Sequence, residues 1–403
     1  MKVAVIGGGA SGLMAAGTAA KNGHMVDLFE ANEKVGKKLY ITGKGRCNVT
    51  NYSSPNEILE NIVTNSKFMY GSLYSFTSFD VVDFFESLGV KIKIERGNRA
   101  FPESDKSSDI IKALERFNKK HGVNILLNHK VLEINRDNNN FQISTICGTY
   151  NNYDATIICV GGKTYSATGS VGDGYDFAKK FGHGVTEIKP ALIPILLNDE
   201  FIRELEGLSL KNVSLIAKQD KNIFKCIFGE MIFTSNGISG PIALSMSSFI
   251  NRQNNIDLYI DLKPALTKEQ LRLRINRDIE EMRESQIGTL MSGLLPKSLA
   301  FVFIKKLGFD FSRKNKTLNT QEIDKLIIML KEFKLEYKGL DKLDYGIITS
   351  GGVDVKEINP KTMESKLVKG LYFAGEVIDV DALTGGYNLQ VAFSTGYVAG
   401  NSI

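Results

Sequence analysis

The 403 residues are 43% hydrophobic and 24% charged, the proportions of an ordinary globular chain, which excludes a disordered or low-complexity protein. Fifty basic residues against 45 acidic give a net charge of +5, spread along the chain without a polybasic tail; this suits a phosphate-bearing ligand and does not demand nucleic acid. No apolar run reaches the ~20 residues of a membrane span, and Cys47, Cys147, Cys159 and Cys226 have neither CxxC nor metal-ligand spacing, so no metal site and no dithiol relay are expected.

The length suggests two or three domains. The opening Met-Lys-Val-Ala-Val-Ile runs straight into a strand pattern, so no signal peptide and a cytoplasmic location are expected. Val3 to Ile6 is that strand. It leads into a glycine turn from Gly7 to Gly12, a helix of small residues closed by Gly23, and a second strand from Met25 to Phe29 that ends at Glu30. Gly7 allows the sharp turn, Gly9 the approach of a pyrophosphate, and Gly12 close packing of helix on sheet. Phosphates would then meet unpaired N–H groups at the positive end of the helix. Glu30 falls where a carboxylate accepts bonds from ribose hydroxyls and disfavours a 2′-phosphate. Strand, turn, helix, strand and acid in one register predict a dinucleotide-binding βαβ unit.

Lys34 to Asn51 is polar and glycine-bearing, too irregular for a helix and too specific for a linker. Helices are predicted over Val81 to Leu88 and Ser107 to His121. Short strands follow at Asn124–Leu127, Lys130–Arg136, Phe141–Cys147 and Ala155–Val160, a meander returning to Gly161-Gly162. Beyond Pro190 the character changes: Ala191–Leu197, Val213–Ala217 and Ile223–Phe228 read as strands, and Thr267 to Phe333 as largely helical. The end returns to nucleotide-binding grammar, with a strand at Leu371-Tyr-Phe-Ala, a Gly375-Glu376 turn, Asp379 and Asp381 in a loop, and Gly385-Gly386-Tyr-Asn388 opening a small-residue helix.

That second block separates FAD from NAD, because a molecule anchored at adenine, pyrophosphate, ribityl chain and flavin ring needs a second holding segment. Asp379 would bond the ribityl or phosphate end, and the helix start from Gly386 to Leu389 would face the pyrimidine edge of the ring. The expected fold is α/β, a Rossmann-like FAD-binding domain of the two-dinucleotide flavoprotein type. It would comprise residues 1–189 and 346–403, with an inserted β-barrel-like domain (190–262 and 334–345) and a small helical subdomain (263–333).

Four blocks, Gly43-Lys-Gly-Arg-Cys-Asn-Val-Thr-Asn51, Gly161-Gly-Lys-Thr-Tyr through Tyr175, Gly237-Ile-Ser-Gly-Pro241 and Gly375-Glu-Val-Ile-Asp through Gln390, give the chain its resemblance to one family. It resembles the BaiN-like and aminoacetone-oxidase-like family of FAD-dependent oxidoreductases over nearly its whole length. The resemblance implies FAD contacts from Ser11, Gly12, Glu30, Lys38, the Gly45-Arg46 turn, the backbone of Val131, Gly161, Gly375-Glu376, Asp379, Asn388 and Leu389. Where that family often has three glycines, this chain has Gly43-Lys44-Gly45.

Lys34 and Lys37 read equally as solvated charges or as neutralisers of the pyrophosphate, and Cys47 reads as a packed thiol rather than a nucleophile. His24, His121, His129 and His183 lack triad or metal spacing. Asn48, Tyr165 and Tyr387 adjoin the glycine blocks and are the substrate-facing candidates; no general base stands out. The expected activity is FAD-dependent hydride transfer, with NADH or NADPH as a transient co-substrate, because the 190–345 stretch carries no second GxGxxG, and an unsaturated small molecule as acceptor. The alternatives are an aminoacetone-type amine oxidase releasing hydrogen peroxide, an RNA-modifying flavoprotein and a non-catalytic FAD scaffold. Nucleic acid is not expected as a partner, since Lys and Arg in the insert are scattered among acids.

Overall fold

The computed structural model describes residues 1–137 and 139–403. The chain forms two compact units, residues 1–191 with 342–403, and residues 192–341.

In the first unit a five-stranded parallel sheet has the order Leu371–Phe373, Ala155–Ile158, Lys2–Ile6, Met25–Phe29, Asn124–Leu126. Lys2–Ile6 sits at its centre and is hydrogen-bonded on both sides, Val5 opposite Ile157 on one and Leu28 on the other. Strands covered on both faces can be apolar throughout, as Val3 to Ile6 are. The first helix, Ala10–Lys21, and the last, Tyr387–Asn401, pack on this sheet. Gly396 and Gly400 make their contact possible: a Cβ on either would stand 2.4 Å from Ser11 O or 2.3 Å from Ala15 O. Because 396 meets 11 and 400 meets 15, the two helices run parallel.

The predicted meander divides. Asn124–Leu126 and Ala155–Ile158 join the parallel sheet, while Val131–Asp137, Asn140–Thr145 and a strand absent from the sequence reading, Gly148–Tyr153, form a separate antiparallel sheet. The missed strand is mostly polar and exposed, so it carries little hydrophobic alternation. A second correction concerns Lys34 to Asn51, which contains a short helix at Lys37–Ile41 and a turn at Thr42–Gly45 in which Gly43 and Lys44 are left-handed, at φ of +56° and +57°. The helix predicted from Val81 begins at Ser78, because Thr77 and Asp80 form a reciprocal capping box.

The second unit holds a seven-stranded sheet in the order Phe333–Leu335, Ile256–Asp261, Ser209–Gln219, Asn222–Thr234, Gly237–Ser239, Ile195–Leu197, Tyr337–Leu340. Its two edge strands are consecutive in the chain, separated by Glu336 alone. The edges must therefore meet, and the sheet is rolled like a barrel. Four helices between Lys268 and Lys331 share its core. The strand read from Ala191 to Leu197 is two, Lys189–Ala191 and Ile195–Leu197, in different sheets, with Leu192 between them at a φ of +52°.

Of the histidines, His183 is fully packed in the first unit: Nε2 lies 2.8 Å from Ser365 Oγ, Nδ1 3.2 Å from Glu357 Oε2, and the ring stands edge-on to Phe373. Burial pushes its pKa below the ordinary value, against the opposing pull of Glu357. Once the pH falls through the unfolded-state value of about 6.5, the unfolded chain binds the proton more readily and folding stability is lost. Thermal unfolding followed across that range is expected to show a melting temperature that falls with acidification, and His183→Gln is expected to flatten that dependence.

Candidate functional site

At the first glycine turn, Gly7 has a φ of +103° and donates its N–H to Phe29 O at 2.8 Å, closing the turn onto the second strand. Gly12 is sterically obligatory, since a Cβ there would stand 1.9 Å from Gly7 O. Gly9 differs, because a Cβ there would meet nothing within 4 Å. The helix that follows has no side-chain cap and no acid in its first turn, so its leading N–H groups and positive dipole end face that open space.

Glu30 is buried at the end of the second strand. Its Oε2 accepts from Gly8 N at 2.8 Å, and its Oε1 accepts from Asn32 N at 2.8 Å and Asn32 Nδ2 at 2.6 Å. A carboxylate offers about four acceptor positions, so room remains for a hydroxyl donor. Val131 begins the strand just after His129, whose N–H binds Glu30 O at 2.8 Å.

The C-terminal block closes on the same turn: a Cβ on Gly375 would stand 2.4 Å from Ser11 Oγ. Glu376 accepts from Lys38 Nζ at 2.7 Å and from Thr349 N at 2.9 Å, and Thr164 Oγ1 also receives the lysine at 2.9 Å. Gly161, at a φ of +76°, precedes Gly162, where a Cβ would strike Thr349 Oγ1 at 2.2 Å. Asp379 is buried, and its backbone carbonyl accepts from Asn65 Nδ2 at 2.7 Å.

Because Ser11 lies opposite Gly396 in parallel helices, the last helix starts more than two turns beyond the first, about 12 Å at 1.5 Å per residue. Its N-terminus likewise has no side-chain cap and no acid. Gly386, at a φ of +101°, brings this end against Thr50, whose carbonyl carbon would lie 2.3 Å from an added Cβ. Asn388 clamps the preceding loop, donating to Ala382 O at 2.8 Å and accepting from Ala382 N at 3.0 Å. Leu389 follows, half-buried against the core.

Two uncapped helix ends about 12 Å apart along one direction fit an extended dinucleotide with a phosphate at one end and a heteroaromatic ring at the other. The arrangement suits FAD.

Other candidates lie as follows. Arg46 is gripped by Glu95 at 2.5 Å and Asp105 at 2.6 Å and stacks over Phe101, so its charge is already matched locally. Gly45, at a φ of +85°, borders open space. Lys37 pairs with Glu33 and Asn32, and Lys34 lies over the Tyr40 ring. Cys47 is completely buried, and burial pushes its thiol up to about 12, so at neutral pH it is a packed thiol and no nucleophile. Asn48 has a buried Oδ1 with no hydrogen-bond partner. Tyr165 adopts a left-handed φ of +56° near Lys38, and Tyr387 opens the last helix with its phenol pKa raised by burial.

The sequence reading missed Asn51 and Gln390. Asn51 Nδ2 binds Gly385 O at 3.1 Å, and Gln390 binds Thr50 Oγ1 at 2.5 Å and Phe76 O at 3.0 Å, so these amides fix the start of the last helix. Each ends one of the singled-out blocks, which is the signal that pointed to them.

Among similar proteins are a 3-dehydro-bile acid Δ(4,6)-reductase from Clostridium scindens, 30% identical over 100% of this chain and 98% of the relative, and a ribosomal RNA dihydrouridine synthase from Haemophilus influenzae, 30% identical over 99% and 97%. In fold, the chain is similar to a 3-ketosteroid Δ1-dehydrogenase from Sterolibacterium denitrificans, solved with 1,4-androstadiene-3,17-dione, with a TM-score of 0.52 and 12% identity over 99% of this chain and 98% of that one. The model of the HI0933-like protein Rossmann domain matches residues 1–402. The chain therefore belongs to the HI0933-like Rossmann family and is an FAD-dependent oxidoreductase.

Proposed function

We propose that this protein reduces a carbon–carbon double bond conjugated to a carbonyl group, with NADH or NADPH as the electron source. The observation that carries this reading is the uncapped start of the last helix, held by Asn51, Thr50 and Asn388 about 12 Å beyond the start of the first. Bound FAD supplies the hydride chemistry. The helix end from Gly386 to Leu389 would hold the ring and would stabilise negative charge developing there on reduction. At the other end Ser11, Gly12 and the leading N–H groups of the first helix would hold the pyrophosphate, while Glu30 would accept from the ribose. Between them Glu376, tethered to Lys38, and Asp379 would hold the ribityl chain.

Two relatives support the chemistry. One is named for reducing a Δ(4,6) system and the other for making dihydrouridine, and enones and the uracil ring both carry an alkene beside a carbonyl. The net reaction adds hydride to the carbon β to the carbonyl and a proton to the α carbon, while NAD(P)H is oxidised. With no second GxGxxG in the chain, the nicotinamide nucleotide docks transiently.

Mixing the flavin-loaded protein anaerobically with NADH, NADPH and aminoacetone in turn tests the reading. Bleaching by a pyridine nucleotide, reversed by a conjugated enone or a uridine-containing RNA, is the expected result. A flavin bleached only by aminoacetone, with hydrogen peroxide released on admitting air, would instead make it an amine oxidase.

A further inference from the structure

The turn that leads into the last helix is hydrogen-bonded to an exposed hairpin. Gly385 O accepts from Asn51 Nδ2, which also donates to Gly97 O at 2.9 Å; Ser53 Oγ donates to Asn51 Oδ1 at 2.6 Å and accepts from Asn98 Nδ2 at 3.1 Å. Tyr52 N donates to Asn98 O at 2.7 Å. The hairpin tip from Arg96 to Arg99 is thus fixed beside the start of the last helix by short amide and hydroxyl links.

This tip carries two exposed guanidinium groups, Arg96 and Arg99, and neither forms an ion pair among the described residues. Glu95, just before the tip, is held in an ion pair by Arg46 and feels Arg99 at longer range, and Asp105 is shared by Arg46 and Lys93. Next to the tip, Tyr52 and Phe79 stand edge to face with centroids 4.8 Å apart, each 39% exposed. Large aromatic rings left open to water beside exposed arginines that form no ion pair among the described residues are a pairing suited to single-stranded nucleic acid, with bases stacked on the rings and phosphates on the guanidiniums. A small apolar substrate would need the rings and not the arginines.

We propose that the Arg96–Arg99 hairpin, with Tyr52 and Phe79, is a docking face for an unpaired segment of RNA. It delivers a uracil ring toward the start of the last helix. The choice of RNA over DNA rests on the reading of the previous section, since among the two common polymers uracil belongs to RNA. Docking itself requires only the charge and the rings. The face escaped the sequence because its parts are scattered between residues 52 and 99, and no basic run marks them.

The test uses the flavin-loaded full chain and a fluorescein-labelled RNA stem-loop with a uridine-rich loop, followed by anisotropy across a potassium chloride series. A DNA stem-loop of matching sequence serves as the second probe. Wild type is expected to bind the RNA with a salt-dependent affinity, and R96A/R99A to lower the magnitude of the log–log salt slope by about 1.4, the value for two lost single-strand phosphate contacts. Y52A is expected to weaken binding about tenfold at every salt concentration while leaving the slope in place, as loss of a stacking ring does. R96K/R99K keeps the charges and is expected to retain the slope, which separates a charge effect from damage to the fold. Absent RNA binding by wild type at low salt or an unchanged slope in R96A/R99A would overturn the proposal, and tighter binding of the DNA probe than of the RNA would overturn RNA as the occupant of this face. The NADPH bleaching of the flavin is read in the same samples without RNA. Its failure would remove the double-bond reductase reading and leave the docking result to stand on its own.

Discussion

Gly9→Ala is expected to leave the stability of the flavin-free protein within about 0.5 kcal/mol of wild type, the cost of alanine for glycine at a helix N-cap, yet to lower FAD affinity at least about tenfold. Gly12→Ala, only three residues away, is expected to damage both. The contrast follows from what each new methyl group meets. At Gly9 a Cβ enters open space, and φ is −83°, so the backbone accepts alanine without strain. That open space is where the pyrophosphate would lie, and the methyl group takes it. At Gly12 the Cβ stands 1.9 Å from Gly7 O, a backbone atom that cannot swing aside. The helix must lift from the turn, which costs about 3 kcal/mol by the scale of overpacked cores. Urea unfolding of the flavin-free proteins and flavin titration of each read the two quantities separately. Equal flavin affinity for Gly9→Ala and wild type would remove the pyrophosphate from this turn.

Replacing Glu30 by glutamine is expected to cost about 2 kcal/mol of stability, because a buried donor loses its acceptor, and to weaken FAD binding by a further tenfold or more. The two carboxylate oxygens serve opposite donors, Oε2 receiving Gly8 N and Oε1 receiving Asn32 N and Nδ2. A glutamine presents oxygen to one side only. Its NH₂ then faces an N–H on the other side, and the ribose loses a charged acceptor. Alanine is expected to be worse for stability, since both sets of donors are then abandoned. Denaturant unfolding and flavin titration check both effects. Unaltered FAD affinity in Glu30→Gln would place the ribose elsewhere.

The sequence by itself determined the opening βαβ unit, from Lys2 to Glu30. Each step there is local: an apolar strand covered on both faces, a glycine where no Cβ fits, and an acid one strand length later. It also determined that the chain's last segment returns to nucleotide-binding grammar, because Gly385-Gly386 before a small-residue helix is a backbone requirement written in residue type. The packed state of Cys47 was legible as well, from the lack of a partner cysteine.

Only the tertiary structure decided what side chains do across distance. Arg46 meets Glu95 and Asp105, some fifty positions on, and is thereby matched locally; nothing in its own block announces that. Asn51 and Gln390 secure the last helix through partners more than three hundred positions away, Gly385 and Thr50. The polar strand Gly148–Tyr153 and the break at Leu192 likewise depend on neighbours, since a strand open to water needs no hydrophobic alternation and a left-handed leucine is tolerated where surrounding contacts hold it. Backbone demands such as glycine clearance are paid locally and leave a mark in residue type. Hydrogen bonds and ion pairs between side chains depend on which segments the fold brings together, and that is set by the whole chain at once.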